Sequence, residues 1–571
     1  MKKHNIDTIR WLWSVSASDK WSIFWMALVQ TALGICSVLS AWLLRGIIDC
    51  AVAGTAVGFW RYSASLLLLL AAQLALLAVN RHLTEAAKSS LENRFKHRLF
   101  SMLLRKDYAA VTAVHSGEWM NRLTSDTAVV SDGLATILPE VMGMLVKLVG
   151  ALALLLYLMP ALAYVILPGG LILVLLTYAF RKTLKRLHKR IQEADGRLRV
   201  FLTERLSSML IVRTFGKAEQ TEQEAAEKMA EHRQARMSRN RFSNLCNIGF
   251  GAVMSGAYVL GAVYCGYGIL VGTMSYGTFT AVLQLISQIQ SPFANITGYL
   301  PKCYAMLASA ERLMEAEDYE EDSPEPQLSE REAALFYQNE LVSIGLANAG
   351  FTYHSDGNSP TVISGLNLTV QKGDYVAFTG HSGCGKSTVL KLLMSLYPLD
   401  SGERYLYTAN GKAPLSARYR GLFAYVPQGN QLLSGTIREV IAFGDAEAMQ
   451  DEARLRLALE ISCADEFVDT LEHGLDTMLG EHGAGLSEGQ MQRIAIARAV
   501  FSEHPILMLD EATSSLDEAT EARLLANLRA MTDKTVLIVT HRPAVLEICD
   551  RVVLFMGDGA AVTVQETQKG V

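Results

Sequence analysis

Hydrophobic positions fall into two regimes along this chain of 571 residues, with the change near position 310. Before it they gather in long runs: 21–44 and 62–80 carry no charged side chain, and 148–180 is a third such run, interrupted by Met159-Pro160. A helix needs about 20 apolar residues to cross a bilayer. The first two runs therefore predict one span each, and the third supplies most of two. Residues 131–158 complete the first arm of that hairpin despite Glu140 and Lys147, and 245–274 and 276–301 add two more, so six spans are predicted.

Between the second and third spans, and again between the fourth and fifth, stretches such as 84–105 and 182–241 are rich in Ala, Glu, Lys and Arg and almost free of Gly and Pro. Such composition predicts helix, so the membrane helices are expected to run on well past the headgroups. After the sixth span, 315–332 is dominated by Glu and Asp around Ser323-Pro324 and Pro326, which reads as a solvated connector rather than a functional acidic tract. From about 339, short β-branched strands alternate with helices, as in an α/β domain. The expected division is 1–314 for an all-α, six-helix membrane domain with long cytoplasmic extensions, 315–338 for an acidic linker, and 339–571 for the α/β domain.

Charge sets the orientation. Lys2, Lys3, Arg10 and Lys20 precede the first span, Arg81, Lys88, Arg94, Lys96 and Arg98 follow the second, and Arg181, Lys182, Lys185, Arg186, Lys189 and Arg190 follow the fourth. The alternate loops hold Arg45 and Arg61 or no basic residue. Basic loops resist translocation, so both termini and the α/β domain are expected in the cytoplasm of a multi-pass protein of the bacterial inner or plasma membrane. No small-residue cleavage site precedes the first span; Ile9, Leu12 and Trp13 instead read as one face of an interfacial helix. The net charge of −5 gives no hint of a nucleic-acid partner, and the eight cysteines, none in a C-x-x-C pair, read as reduced thiols without zinc spacing.

The sharpest chemistry lies in Gly380-His381-Ser382-Gly383-Cys384-Gly385-Lys386-Ser387-Thr388, which fits G-x-x-x-x-G-K-[ST]. Tyr375-Val376-Ala377-Phe378 before it reads as a buried strand, and Val389–Met394 after it as the first turns of a helix. That frame separates a phosphate-binding loop from a Gly-rich turn without a ligand. Backbone N–H groups would cradle the β- and γ-phosphates at a helix N-terminus, Lys386 supplies a cation, and the Ser387 hydroxyl suits Mg²⁺. Downstream, Ile506-Leu507-Met508-Leu509-Asp510-Glu511 is a buried strand ending in two acids, which places Asp510 for the metal and Glu511 for the attacking water. Val536–Thr540 is another buried strand and delivers His541 to its C-terminal edge. A lone His is usually structural; at a strand end beside the γ-phosphate position it reads as catalytic or sensing.

Leu486-Ser487-Glu488-Gly489-Gln490, after Tyr425-Val426-Pro427-Gln428 and before Asp510, resembles the signature peptide of ATP-binding cassette (ABC) proteins. The whole chain resembles an ABC exporter half-transporter, with six spans followed by one P-loop NTPase cassette. The resemblance implies that Tyr353 stacks on adenine, that Gln428 links Mg²⁺ and water to the membrane part, and that Ser514-Ser515-Leu516-Asp517 communicates across a dimer. It further implies that two cassettes sandwich two ATP molecules, each held between one chain's phosphate loop and the other chain's signature, in a homodimer or a heterodimer. Coupling helices are expected near 107–114 and 205–212, the second touching the partner's cassette. Ser487 with Gln490 fits a capping box, so a helix is expected to start there. Glu488 departs from the family pattern, which has Gly at that position. Turned inward it would weaken ATP closure, and turned outward it would merely complement the helix dipole.

The cargo path is less sharply marked. Gln284, Gln288, Ser291, Asn295 and Lys302 share one face of the sixth span, and Glu140 and Lys147 share one face of the third. The sixth-span residues either line a cavity or bond neighbouring helices, whereas Glu140 and Lys147 either serve the substrate or, for Glu140 low in the bilayer, are simply wet. The expected function is ATP-driven export of a peptide, lipid or amphipathic small molecule by alternating access. An importer of siderophore-like cargo and an ATP-gated, channel-like regulator are the alternatives, since direction rests on the resemblance.

Overall fold

The computed structural model describes residues 2–322, 326–353, 361–429, 431–443, 445–480, 483, 485–556 and 563–568, with backbone alone at 2–6, 18, 162–179, 181–182, 185, 250, 254, 292–298, 300 and 563–568. Compactness divides the chain into two units, residues 1–100 with 117–317, and residues 101–116 with 318–571.

The helices of the first half are α1 (Lys2–Val15), α2 (Lys20–Val52), α3 (Ala56–Leu103), α4 (Tyr108–Ala113), α5 (Ser116–Leu158), α6 (Pro160–Ser207), α7 (Met209–Thr214), α8 (Ala218–Leu270) and α9 (Tyr276–Glu315). Among the described residues, α2, α3, α5 and α8 are long and apolar enough to cross a membrane. The fourth and sixth predicted spans lie in α6 and α9, parts of whose side chains fall outside the described residues. The 53 residues of α8 make a rod of about 80 Å, more than twice the hydrocarbon thickness of about 30 Å, so the helical extensions read from composition are present. Within this unit small residues allow close crossings. A Cβ on Gly34 would lie 2.9 Å from the Gly143 carbonyl oxygen, which ties α2 to α5. At one end of α9, Asp49 accepts from the Gly277 N–H at 2.9 Å and satisfies a first-turn donor. Toward the other end, Arg312 donates to both oxygens of the buried Asp126 at 2.8 and 2.5 Å.

The second unit holds α4 and everything after Glu317. Asp107 caps α4 by accepting from the Ala110 N–H at 3.0 Å, and the Tyr108 ring meets Tyr397 edge-on at 5.6 Å. Within the acidic stretch expected as a connector, α10 (Glu330–Asn339) forms because Ser329 and Glu332 complete a capping box. The strands are β1 (Leu341–Thr352), β2 (Thr361–Gln371), β3 (Tyr375–Gly380), β4 (Ser401–Thr408), β5 (Gly411–Pro414), β6 (Phe423–Val426), β7 (Gly435–Thr436), β8 (Met478–Leu479), β9 (Ile506–Asp510), β10 (Thr535–Val539), β11 (Arg551–Met556) and β12 (Thr563–Gln568). The main sheet runs β12-β11-β3-β10-β9-β6, parallel except for β12, and an antiparallel sheet runs β2-β1-β4-β5.

All five residues of β9 and of β10 are buried, as central parallel strands covered on both faces must be. Their side chains alternate between two cores. Leu507, Leu509, Val536 and Ile538 pack with α12 (Ile437–Ala442), α13 (Glu452–Ile461), α14 (Glu488–Phe501) and α15 (Glu518–Arg529). Met508, Leu537 and Val539 pack with Phe378 and α11 (Lys386–Leu393). The period-two burial fixes register, so the acids after Leu509 and the histidine after Thr540 arrive at the same sheet edge as the loop after β3.

Candidate nucleotide site

The loop after β3 turns through left-handed glycines, φ 81° at Gly383 and 95° at Gly385, conformations in which a side chain is strained. Gly385 leads directly into α11, so the loop forms a nest of N–H groups at a helix N-terminus. Lys386 is buried, and its ammonium donates to the Gly380 and His381 carbonyl oxygens at 2.8 and 2.9 Å, which keeps a buried charge satisfied. Cys384 and Thr388 are buried, Ser387 is half-buried, and Ser382 is exposed. Tyr353 bonds Thr388 through its hydroxyl at 3.1 Å, and its ring packs edge-on to Phe351 and Tyr397 at 4.8 and 5.4 Å.

The second half of the site meets this loop at Asp510. Ser387 Oγ donates to Asp510 Oδ1 at 2.9 Å, and the Tyr425 hydroxyl donates to Oδ2 at 3.0 Å. Burial, with the Asp510 charge adding to it, pushes the Tyr425 phenol well above its ordinary range, so it remains a donor. Glu511 adopts φ 53°, unusual for a residue with a side chain, and its N–H bonds the Val539 carbonyl at 3.1 Å. Its carboxylate accepts from Gln428 Nε2 at 2.9 Å and stands 4.0 Å from His541 Nε2. Lys386, Ser387, Asp510, Glu511, Gln428 and His541, distant in sequence, thus form one constellation.

The signature helix α14 starts where the pattern predicts. Ser487 N donates to Gln490 Oε1 at 2.9 Å, and Gln490 N donates back to Ser487 Oγ at 3.3 Å. Glu488 is exposed in the first turn and Leu486 is half-buried. Gly489 sits so close to the loop of Ser514, Ser515, Leu516 and Asp517 that a Cβ would lie 2.8 Å from the Ser515 carbonyl oxygen. Two residues that sequence reasoning missed hold that loop. Buried Gln492 donates to Ser514 Oγ at 2.9 Å and accepts from Ser515 N at 3.0 Å. Arg542 donates to the Ser514 and Leu516 carbonyl oxygens at 2.7 and 2.9 Å and to buried Glu521 at 2.9 Å. Each sits one or two residues beyond a motif, which was their signal. Asp517 caps α15 by accepting from Thr520 N at 2.9 Å.

In the membrane unit, Gln284 donates to Ser40 Oγ at 3.1 Å and Gln288 to the Ser37 carbonyl at 2.6 Å, so both bond α2. Glu140 accepts from the Tyr299 hydroxyl at 2.6 Å. Lys147 is half-buried with its backbone beside Gly34, Ser291 is half-buried, and Lys302 is exposed. The side chain of Asn295 lies outside the described residues.

Comparison with known proteins bears on this arrangement. Residues 23–293 match the ABC transporter transmembrane region family, and residues 363–514 match the ABC transporter family of cassettes. Antigen peptide transporter 2 of Rattus norvegicus is 29% identical over 475 residues, 82% of this chain and 65% of that protein. An ATP-dependent lipid A-core flippase of Aliivibrio fischeri is 27% identical over 477 residues, 83% of this chain and 80% of that protein. A bacterial Atm1-family ABC exporter solved with ATP bound superposes with a TM-score of 0.80 at 21% identity, covering 97% of this chain and 96% of that one. With a helical membrane region fused to one cassette and the fold of an ABC exporter, the chain belongs to the ABC transporters.

Proposed function

We propose that this membrane protein couples hydrolysis of ATP to export of a peptide, lipid or amphipathic small molecule by alternating access of a dimer. The observation that carries the reading is the convergence on Glu511. Its carboxylate, forced into place by a left-handed backbone, is held by Gln428 at 2.9 Å beside His541, with Asp510 and Ser387 adjacent. Glu511 takes the proton of the attacking water, Gln428 orients both partners, and His541 senses the γ-phosphate.

Mg²⁺ fits the residues present. Ser387 Oγ, Asp510 Oδ1 and the Gln428 carbonyl are hard oxygen donors, the class this ion prefers, and the first two already lie 2.9 Å apart. These three residues would hold it, and when bound it neutralises charge on the phosphate oxygens. Tyr353 would open its packing to stack on adenine, while Lys386 would exchange loop carbonyls for phosphate oxygens.

The dimer is supported by surfaces that await a partner. Ser487 and Glu488 are exposed at the positive end of α14, where a second chain's γ-phosphate would bind. The tip formed by α7 exposes Leu210, Ile211 and Phe215, as a coupling helix does before it meets the partner's cassette. Homodimer and heterodimer use these surfaces equally. Both termini and the cassette lie on the cytoplasmic side of the cell membrane in this reading.

The test is transport into inverted membrane vesicles, with a panel of fluorescent lipid, peptide and amphipathic dye. ATP-dependent accumulation in the lumen, absent in Glu511→Gln, is the expected result. ATP-dependent depletion from the lumen would make the protein an importer.

A further inference from the structure

We propose that Tyr425 is a positioning residue for the metal side of the nucleotide site, its hydroxyl fixing the plane of the Asp510 carboxylate so that Oδ1 faces Ser387 and the metal. The inference rests on the ATP·Mg²⁺ reading above and names a residue to which that reading gives no role. Asp510 is only 1% exposed, so water does not hold its orientation. Buried polar atoms take their hydrogen-bond partners from the protein, so the donors at the two oxygens of Asp510 set the carboxylate's plane. Here each oxygen has one: Ser387 Oγ on Oδ1 at 2.9 Å and the Tyr425 hydroxyl on Oδ2 at 3.0 Å.

Strand pairing makes the arrangement rigid. β6 and β9 are parallel neighbours with Tyr425 opposite Met508 and Val426 opposite Leu509, so Tyr425 rises from the strand beside the one that ends in Asp510. Three residues on, Gln428 donates to Glu511 at 2.9 Å. One short segment therefore holds both adjacent acids, Asp510 through a phenol and Glu511 through an amide. Groups that orient a metal ligand from behind are commonly worth 10- to 100-fold in metal affinity.

The experiment uses the full chain in lipid nanodiscs with Mn²⁺ as probe and ADP present, reading bound Mn²⁺ by electron paramagnetic resonance. Tyr425→Phe keeps the ring and removes the hydroxyl. It is expected to weaken nucleotide-dependent Mn²⁺ binding about tenfold while leaving ADP affinity in excess EDTA unchanged. In an Asp510→Asn background the same change is expected to add nothing, because Tyr425 acts through that carboxylate. An unchanged Mn²⁺ affinity in Tyr425→Phe, alongside a clear loss in Asp510→Asn, would overturn the role of Tyr425 and leave the site intact. A loss that persists in full in the Asp510→Asn background would overturn it too, as a purely structural effect. No nucleotide-dependent Mn²⁺ binding by the unmodified chain would sink the metal-site reading and the inference together.

Discussion

Glu488 and Gln492 sit one turn apart on α14 and make opposite predictions. Glu488 is exposed and complements the positive end of its helix, so Glu488→Gly is expected to leave ATP turnover within about twofold of the parent. A large rise in turnover would instead show that the carboxylate opposes phosphate. Gln492 is buried, and its amide bonds both a hydroxyl and a backbone N–H of the loop that follows Ala512 and Thr513. Gln492→Met keeps the volume but leaves those groups unpaired, at about 1–3 kcal/mol of stability for the buried donor. Chemical denaturation of the full chain checks that figure, and ATP turnover is expected to fall with it as the loop loosens. The sequence named Glu488 because it breaks a motif. For Gln492 it offered only nearness to that motif, because a buried amide and a solvated one look alike in sequence.

At the scale of elements, legibility followed locality. The start of α14 could be read because a capping box is written within four residues, and β9 and β10 could be read because four consecutive apolar residues bury on two faces. The helix Glu330–Asn339 was hidden because its acidic composition looks like a connector, although Ser329 and Glu332 carry the same capping signal. The polar face of the sixth span was legible, but its use was not, since both cavity lining and helix bonding give the same periodicity. Gln284 and Gln288 bond Ser40 and Ser37 of α2. Gln288→Leu is accordingly expected to lower the stability of the membrane unit by about 0.6–2 kcal/mol, the range for interhelical bonds in lipid. Thermal unfolding in nanodiscs measures it. Unchanged stability with lost transport would assign Gln288 to cargo.

Across the whole molecule the chain joins a membrane region to an ABC cassette, and the two halves differ in how much they disclose. In the cassette, a lysine, two acids, a glutamine and a histidine beside the ends of strands mark a candidate nucleotide site that is legible in the sequence. The membrane region obeys mainly the apolar length rule, which predicts spans and orientation but leaves cargo unspecified. Contacts made far apart in sequence leave no local trace. Residues 101–116 illustrate this, because they follow a membrane helix yet cluster with the cassette, with Tyr108 on Tyr397.

In the proposed function, Glu511 drives ATP hydrolysis in a dimer of such chains. The most direct measurement is ATP turnover by the purified chain in lipid nanodiscs beside Glu511→Gln, with ATP binding monitored in both. Turnover that falls by at least about 100-fold in the variant, with ATP binding retained, is the predicted result. Equal turnover in the two proteins would contradict it.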